Sequence, residues 1–284
     1  MKIFVTGATG FVGNYVVKEL LQQGHKVIAT SLDPAKAGKK KWFSKVEYVP
    51  FDLASFDSSI NYYQYFREPD AMIHLAWEGL PDYKESFHLE KNLPRHYKLL
   101  ENLVKNGLPD LTVTGTCLEY GMQEGCLSEG MEPRPENAYA MAKNRLRIQL
   151  QELQNQNKFS FKWIRLFYMY GKGQNPKSLL SQLDKAISEG KEEFNMSGGE
   201  QERDYLPVEK VAEYIVKIAV QNDELGMINC CSGKPVKVKE LVEDHVRSKH
   251  ATIKLNLGFY PYTDYEPMRF WGDNKRLKTI LNNE

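Results

Sequence analysis

Two side chains four residues apart could move a proton between them and a substrate. Tyr139 and Lys143, in Tyr139-Ala140-Met141-Ala142-Lys143, share one face of any helix that carries them, about one turn apart. An ammonium beside a phenol favours the phenolate, so Lys143 is expected to pull the Tyr139 pKa down from about 10. Such a phenol can give or take a proton at a carbonyl or alcohol oxygen. The spacing alone occurs on many helices and needs a second signal. Thr6-Gly7-Ala8-Thr9-Gly10-Phe11-Val12-Gly13 supplies it. Gly7 allows a tight turn, Gly10 lets backbone approach a pyrophosphate, and Gly13 lets helix and strand pack closely. The helix that follows offers free N–H groups and the positive end of its dipole to phosphates. An ordinary glycine-rich turn could share the spacing, but a position between the first strand and the first helix favours a dinucleotide site.

The end of the second strand tunes which dinucleotide. A carboxylate there bonds the adenosine ribose hydroxyls of NAD. Here the place is held by Ser31, with Asp33 two residues on and Lys36, Lys39, Lys40 and Lys41 following. The missing acid and nearby lysines favour NADP. In the competing reading the lysines are a solvated loop and Asp33 serves NAD.

These groups need a scaffold, and the pattern of the chain describes one. Apolar runs at 2–6, 26–31, 46–50, 71–75, 111–116 and 161–167 read as buried strands. Val12, Val16, Leu20 and Leu21 form a helical stripe over 11–23, ended by Gly24. Further helices fit 82–106, 136–157 and 207–220. Strands alternating with helices imply an α/β fold, a Rossmann-type doubly wound parallel sheet. After about Tyr170 the pattern loosens. Gly171 to Pro176 reads as a loop, and the aromatic, proline-rich tail 260–272 as irregular. The expected division is a dinucleotide-binding Rossmann domain over 1–170, with 201–230 returning to it. A smaller C-terminal substrate-binding region takes 171–200 and 231–284 and leaves a cleft between the two parts.

Composition excludes other classes. The 284 residues carry 38 Lys+Arg against 37 Asp+Glu, which is no footprint for nucleic acid. No apolar run has the length to cross a bilayer, so no membrane partner is expected. The N-terminus lacks the longer apolar stretch of a signal peptide. Cys117, Cys126, Cys230 and Cys231 form no CxxC pair and suit a reducing, cytoplasmic setting; no metal is expected.

From these motifs the chain resembles the extended short-chain dehydrogenase/reductase family, within it the nucleotide-sugar epimerases, dehydratases and 4-ketoreductases. The resemblance runs nearly end to end. Besides the glycine turn, Asp52 and Leu53 match the adenine contact. His74-Leu75-Ala76-Trp77 matches a segment beneath the cofactor, and Asn92 an asparagine in the next helix. Thr114 to Gly121 is similar to the strand end that carries the family's Ser/Thr, here Thr116. Glu129, Pro133 and Pro135 fit the lead-in to the tyrosine, and Arg165 to Gly171, with Phe167, resembles the nicotinamide-lining stretch. Arg203 to Val208 and Asn229 to Pro235 match two later motifs.

The resemblance implies that Tyr139 is the general acid/base, that Lys143 holds the nicotinamide ribose and that Thr116 bonds the reacting sugar oxygen. The cofactor-binding set becomes Gly7, Thr9, Gly10, Phe11, Val12, Gly13, Ser31, Asp52, Leu53, Leu75, Ala76, Trp77, Asn92, Tyr139, Lys143 and Phe167. It implies a nucleotide-diphosphate sugar as substrate, with Arg203 as diphosphate anchor, because a guanidinium bonds phosphate oxygens in pairs. Arg269 is a second candidate, and Trp271 a stacking platform. Arg203 could instead pair with Asp204 or Glu202, and Trp271 could be buried packing. Where dehydratases place Asp-Glu this chain has Cys117 and Leu118, which disfavours water elimination. Cys117 reads as a packed thiol, and Cys230 and Cys231 as core.

The leading expectation is NAD(P)H-dependent reduction of a nucleotide-linked 4-keto-6-deoxysugar for a surface polysaccharide. The alternative is a nucleotide-sugar 4-epimerase with tightly held NAD. A non-catalytic cofactor-sensing protein is a third reading, against which the intact Tyr139/Lys143 pair argues. A homodimer through the 82–106 and 136–157 helices is also expected, with Leu99, Leu103, Leu146 and Leu150 facing either the partner or the sheet.

Overall fold

The computed structural model describes residues 1–221 and 223–282. The chain begins with β1 (Lys2–Thr6), α1 (Phe11–Gln22), β2 (Lys26–Thr30), α2 (Pro34–Gly38), β3 (Glu47–Tyr48), α3 (Tyr62–Tyr65) and β4 (Ala71–His74). It continues with α4 (Leu93–Lys105), β5 (Asp110–Thr116), β6 (Gly125–Leu127), α5 (Ala138–Gln156), β7 (Ser160–Leu166) and β8 (Tyr168–Tyr170). Then come α6 (Leu179–Ser188), β9 (Glu193–Asn195), β10 (Glu202–Pro207), α7 (Val208–Ala219) and β11 (Gly226–Cys230). Last are β12 (Pro235–Lys237), α8 (Val238–Ser248), β13 (Lys254–Asn256), β14 (Phe270–Gly272) and α9 (Lys275–Asn282).

Seven parallel strands form one sheet in the order β11-β7-β5-β4-β1-β2-β3. Strand order reverses between β1 and β4, and ligands of such sheets bind outside that switch point. Alternation along β1 sends Ile3 and Val5 into one core with Val16 and Leu20 of α1 and Ile215 of α7. Phe4 goes to the opposite core, with Leu99 and Leu103 of α4 and Leu146 and Leu150 of α5. A strand buried on both faces is the reason these runs are continuously apolar. The same burial answers the question left at the four leucines: they face the protein's own sheet.

Smaller sheets cover the mouth. β8, β10 and β12 form one, β9 pairs with β13, and β6 with β14. A third core joins Leu183 of α6, Phe194 of β9 and Val242 of α8. A fourth ties Phe270 of the tail to Cys117, Tyr120 and Phe167.

Two sequence expectations need correction. The helix expected from residue 82 starts later, with a wide turn over His88–Asn92 before α4. Pro81, the Gly79 bend and the backbone bond from Tyr139 N–H to the Tyr83 carbonyl (3.0 Å) keep residues 79–87 as a non-helical wall. The tail is not wholly irregular, because β14 runs parallel to β6 with Trp271 opposite Cys126.

Candidate active site

A cavity of about 610 Å³ opens at the switch point. At its floor lies the glycine turn. Gly7 has φ +67°, and a Cβ there would stand 2.8 Å from the Ala76 nitrogen; a Cβ on Gly13 would stand 2.2 Å from the Gly7 oxygen. Neither place admits a side chain. Gly10 caps α1 in extended conformation without any side-chain cap, so the first-turn N–H groups of α1 have no side-chain acceptor at the N-terminus. Uncapped N–H groups, a positive dipole end and a lining of bare glycine backbone fit a dinucleotide pyrophosphate.

Thr6 supports this turn from beneath. Its hydroxyl accepts the N–H groups of Leu75 and Ala76 at 3.2 and 3.3 Å and shares a 2.9 Å bond with His74 Nδ1. His74 Nε2 and His96 Nδ1 lie 2.7 Å apart. Both rings are fully buried. Burial holds His74 down to about 3, with the Lys143 charge adding to the effect, and lowers His96 well below the usual range.

Across the cavity, α5 presents Tyr139 and Lys143 one turn apart, both lining it. Asn137 starts this helix by accepting the Ala140 N–H at 2.9 Å. Lys143 Nζ donates to the Thr114 carbonyl at 2.9 Å and lies 4.1 Å from the centre of the Trp77 ring. Trp77 stacks on His96 and donates from Nε1 to His88 Nδ1 at 3.1 Å. Trp77, Tyr83 and His88 surround the Tyr139 ring at 5.4–5.9 Å.

Thr116 ends β5 and caps the 3-10 turn Cys117–Tyr120. Glu119 completes the cap by accepting the Thr116 N–H at 2.9 Å; it also accepts Trp163 Nε1 at 3.1 Å and Arg165 Nε at 2.8 Å. Thr116, Cys117, Tyr139 and Lys143 thus share one wall of the cavity.

The electrostatics reverse one expectation. The Tyr139 phenol is pushed up, first by burial and then by Tyr83, Glu119 and Cys117; a hydrogen bond from Thr116 works the other way. Lys143 is itself lowered to about 7 by burial, with Glu119 opposing. Desolvation outweighs the charge contact assumed from spacing, and the protein alone keeps Tyr139 protonated.

At the adenosine end, Ser31 directly follows β2 and shares a 2.9 Å hydrogen bond with the Tyr48 hydroxyl. Asp33 is spent capping α2 through the Lys36 N–H, and Asp52 accepts the Ala54 N–H in the turn that holds Leu53. Lys40 is lowered by partial burial and by repulsion from Lys36 and Lys18. Trp42, just after the lysine run, donates from Nε1 to Asn14 Oδ1 at 3.0 Å, which ties this loop to the first turns of α1. Thr9 and Asn92 are buried; the Asn92 amide donates to the Glu78 carbonyl at 3.0 Å. Leu75, Trp77 and Phe167 line the cavity, and Ala76 backs the Gly7 turn.

The three expected substrate contacts from the second half of the chain stand apart from the cavity lining. Arg203 is buried beneath it. Nη1 donates to the carbonyls of Glu202 and Met268, and Nη2 reaches Glu266 Oε2 at 3.2 Å. Its carboxylate partner is therefore Glu266 rather than Asp204 or the Glu202 side chain. Asp204 instead accepts backbone N–H groups of Ser232, Gly233 and Gly272. Arg269 is exposed, pairs with Glu202 at 2.6 Å and lies over Trp271. Cys117, Cys230 and Cys231 are buried, as read.

Sequence reading missed Glu266 and Tyr83, both on the cavity wall, and assigned no role to Glu119 beneath it; Tyr168, inside the 165–171 stretch, lines the cavity. An acid between Leu118 and Tyr120 in a buried segment was a usable signal for Glu119. Nothing periodic marks Glu266 in its loop.

Comparison with known proteins agrees with this layout. The model of the NAD dependent epimerase/dehydratase family matches residues 3–231. The dTDP-6-deoxy-L-talose 4-dehydrogenase (NAD(+)) of Aggregatibacter actinomycetemcomitans is 30% identical over 96% of this chain and 99% of its own. Among solved structures, MoeE5 in complex with UDP-glucose and NAD is 25% identical, covers 99% of this chain and 92% of its own, and superposes with a TM-score of 0.82. The UDP-glucuronic acid 4-epimerase of Bacillus cereus, 21% identical, covers 100% of this chain and 94% of its own, with a TM-score of 0.85, and shares the fold.

Proposed function

Because this chain belongs to the NAD-dependent epimerase/dehydratase family, we propose that it is a nucleotide-sugar oxidoreductase acting at C4 of a 6-deoxyhexose, in the direction that reduces the 4-ketone. The observation that carries this reading is the convergence of Tyr139, Thr116 and Lys143 on one wall of the cavity that the glycine turn floors. The end-to-end likeness to a 6-deoxytalose 4-dehydrogenase supports it.

Bound nicotinamide nucleotide would supply or accept the hydride. Gly7, Gly10 and Gly13 and the first turn of α1 would hold its pyrophosphate, and Lys143 its ribose. Thr116 orients the sugar's C4 oxygen. Tyr139, kept protonated by burial, donates its proton to that oxygen as the ketone becomes an alcohol. Residues 79–87, with Tyr83 against Tyr139, exclude water from the wall. NAD(H) is the proposed nucleotide. The Ser31 hydroxyl is tied to Tyr48, and the relative's name carries NAD; the NADP preference read from Ser31 finds no support in these observations.

A 4-epimerase is the second reading. The same three side chains suffice for it, and proteins of that activity share the fold. Residues 171–200 and 231–284 are assigned to substrate binding, with 1–170 and 201–230 as the dinucleotide half. No described helix is long and apolar enough to cross a membrane, and a cytoplasmic setting is part of the proposal. So is a homodimer through α4 and α5, now resting on the resemblance alone because their leucines are spent on the core.

The test is NADH oxidation over a panel of nucleotide 4-ketosugars, with the product sugar identified. Stoichiometric NADH loss with a new 6-deoxyhexose supports the reductase. Interconversion of 4-epimers without net NADH loss would replace it with the epimerase.

A further inference from the structure

We propose that Glu266 is a specificity-determining residue that makes the sugar site reject hexuronates and accept neutral hexoses; this rests on the nucleotide-sugar reading above. Glu266 comes from the tail, 62 positions after Asp204, and its carboxylate lines the same cavity as Thr116, Cys117 and Tyr139. Both oxygens are fixed. Tyr168 donates its hydroxyl to Oε1 at 2.5 Å, and Arg203 Nη2 reaches Oε2 at 3.2 Å. The site is desolvated, with the Glu266 side chain 13% and the Arg203 side chain 4% exposed. Its charge reaches the wall where the sugar would sit, raising Cys117 and Tyr83 after burial has done so.

The remaining charge on the lining decides the preference. Among the described residues the charged side chains facing the cavity are Lys143, Lys177 and Glu266. Lys143 is engaged by the Thr114 carbonyl and the Trp77 face at the cofactor end. Lys177 stands exposed on the loop before α6. Arg203, buried behind this part of the lining, is paired with Glu266. A hexuronate would therefore bring a second carboxylate towards Glu266 with no free buried cation to meet it. Two like charges in a low-dielectric site repel strongly, whereas a methyl or hydroxymethyl group meets Tyr83, Tyr168 and Tyr205 without that penalty.

The experiment is calorimetric titration of the full chain, saturated with NAD, using base-matched pairs. Glucose and glucuronic acid are compared on uridine, thymidine, guanosine and cytidine diphosphate in turn. The wild type should bind the neutral sugar at least about tenfold more tightly on whichever base it accepts. Glu266→Gln releases Arg203, so the preference should shrink or reverse. Arg203→Met leaves Glu266 without its cation and should widen it. Equal or tighter binding of the hexuronate by the wild type overturns the proposal, whether or not the variants fold. An unchanged ratio in a folded Glu266→Gln protein overturns it too. If no pair binds on any base although NAD does, the nucleotide-sugar reading itself fails and takes this inference with it.

Discussion

Arg165 and Glu119 form an ion pair without solvent access, Nε donating to Oε2 at 2.8 Å, directly below the strand end that carries Thr116. Arg165→Met leaves the Glu119 carboxylate buried and without its cation. Urea denaturation should show a loss of about 3–5 kcal/mol. Adding Glu119→Gln to that variant should recover a large part of it, since both charges are then gone. A loss within about 0.5 kcal/mol, as at an ordinary surface site, would mean that Glu119 is compensated some other way.

Tyr139→Phe should lower turnover by about 10²–10⁴-fold while NAD binding stays unchanged, because the ring fills its place but moves no proton. The raised phenol pKa also sets the pH response. Reduction consumes the phenol's proton, which burial holds in place, so its rate should persist through about pH 10, where an ordinary phenol would be half ionised. Oxidation of the alcohol needs the phenolate and should be slow near neutrality and rise with pH over the same range. Initial rates measured in both directions check this; a reduction rate that falls away with a midpoint below about 10 would mean that desolvation does not govern the Tyr139 phenol.

Acid should destabilise the fold through His74 and His96. His74 titrates at about 3 in the folded chain, and His96 well below its usual value, against about 6.5 unfolded. Between those limits the unfolded chain binds more protons, so stability rises with pH and is lost as pH falls below about 6.5. Melting temperatures should drop through that window. His96→Phe keeps a ring beneath Trp77 while removing one titrating group, and its drop should be shallower than that of the wild type. An equal slope would assign acid lability to carboxylates alone.

NADH should serve at least as well as NADPH. Ser31→Asp should depress NADPH use further, by repulsion of the extra phosphate. Paired kcat/KM measurements decide this. A preference for NADPH greater than about tenfold, or about 1.4 kcal/mol, would restore the lysines after Ser31 to a phosphate-binding role.

The sequence by itself determined what local constraints encode. Gly7 needs positive φ and Gly13 forbids a Cβ, so the turn was legible from three residue types and their spacing. The i, i+4 spacing placed Tyr139 and Lys143 on one face, and Asn137 starts their helix within two residues of the expected position. Apolar runs bounded by turn residues located six of the seven strands of the large sheet, all but β11, because a strand buried on both faces is mostly apolar. The tertiary structure decided what depends on burial and on contacts between distant segments. Lys143 shares a face with Tyr139, yet the direction of both pKa shifts comes from desolvation, which spacing does not report. Leu99 and Leu146 are periodic whether they meet a partner subunit or their own sheet; packing chose the sheet. Arg203 carries its expected charge, but Glu266, 63 residues later in an aperiodic tail, neutralises it and takes its place at the cavity wall. Local periodicity is fixed by backbone geometry one turn at a time, whereas charge pairing across 63 residues exists only once the chain has folded and water has left the site.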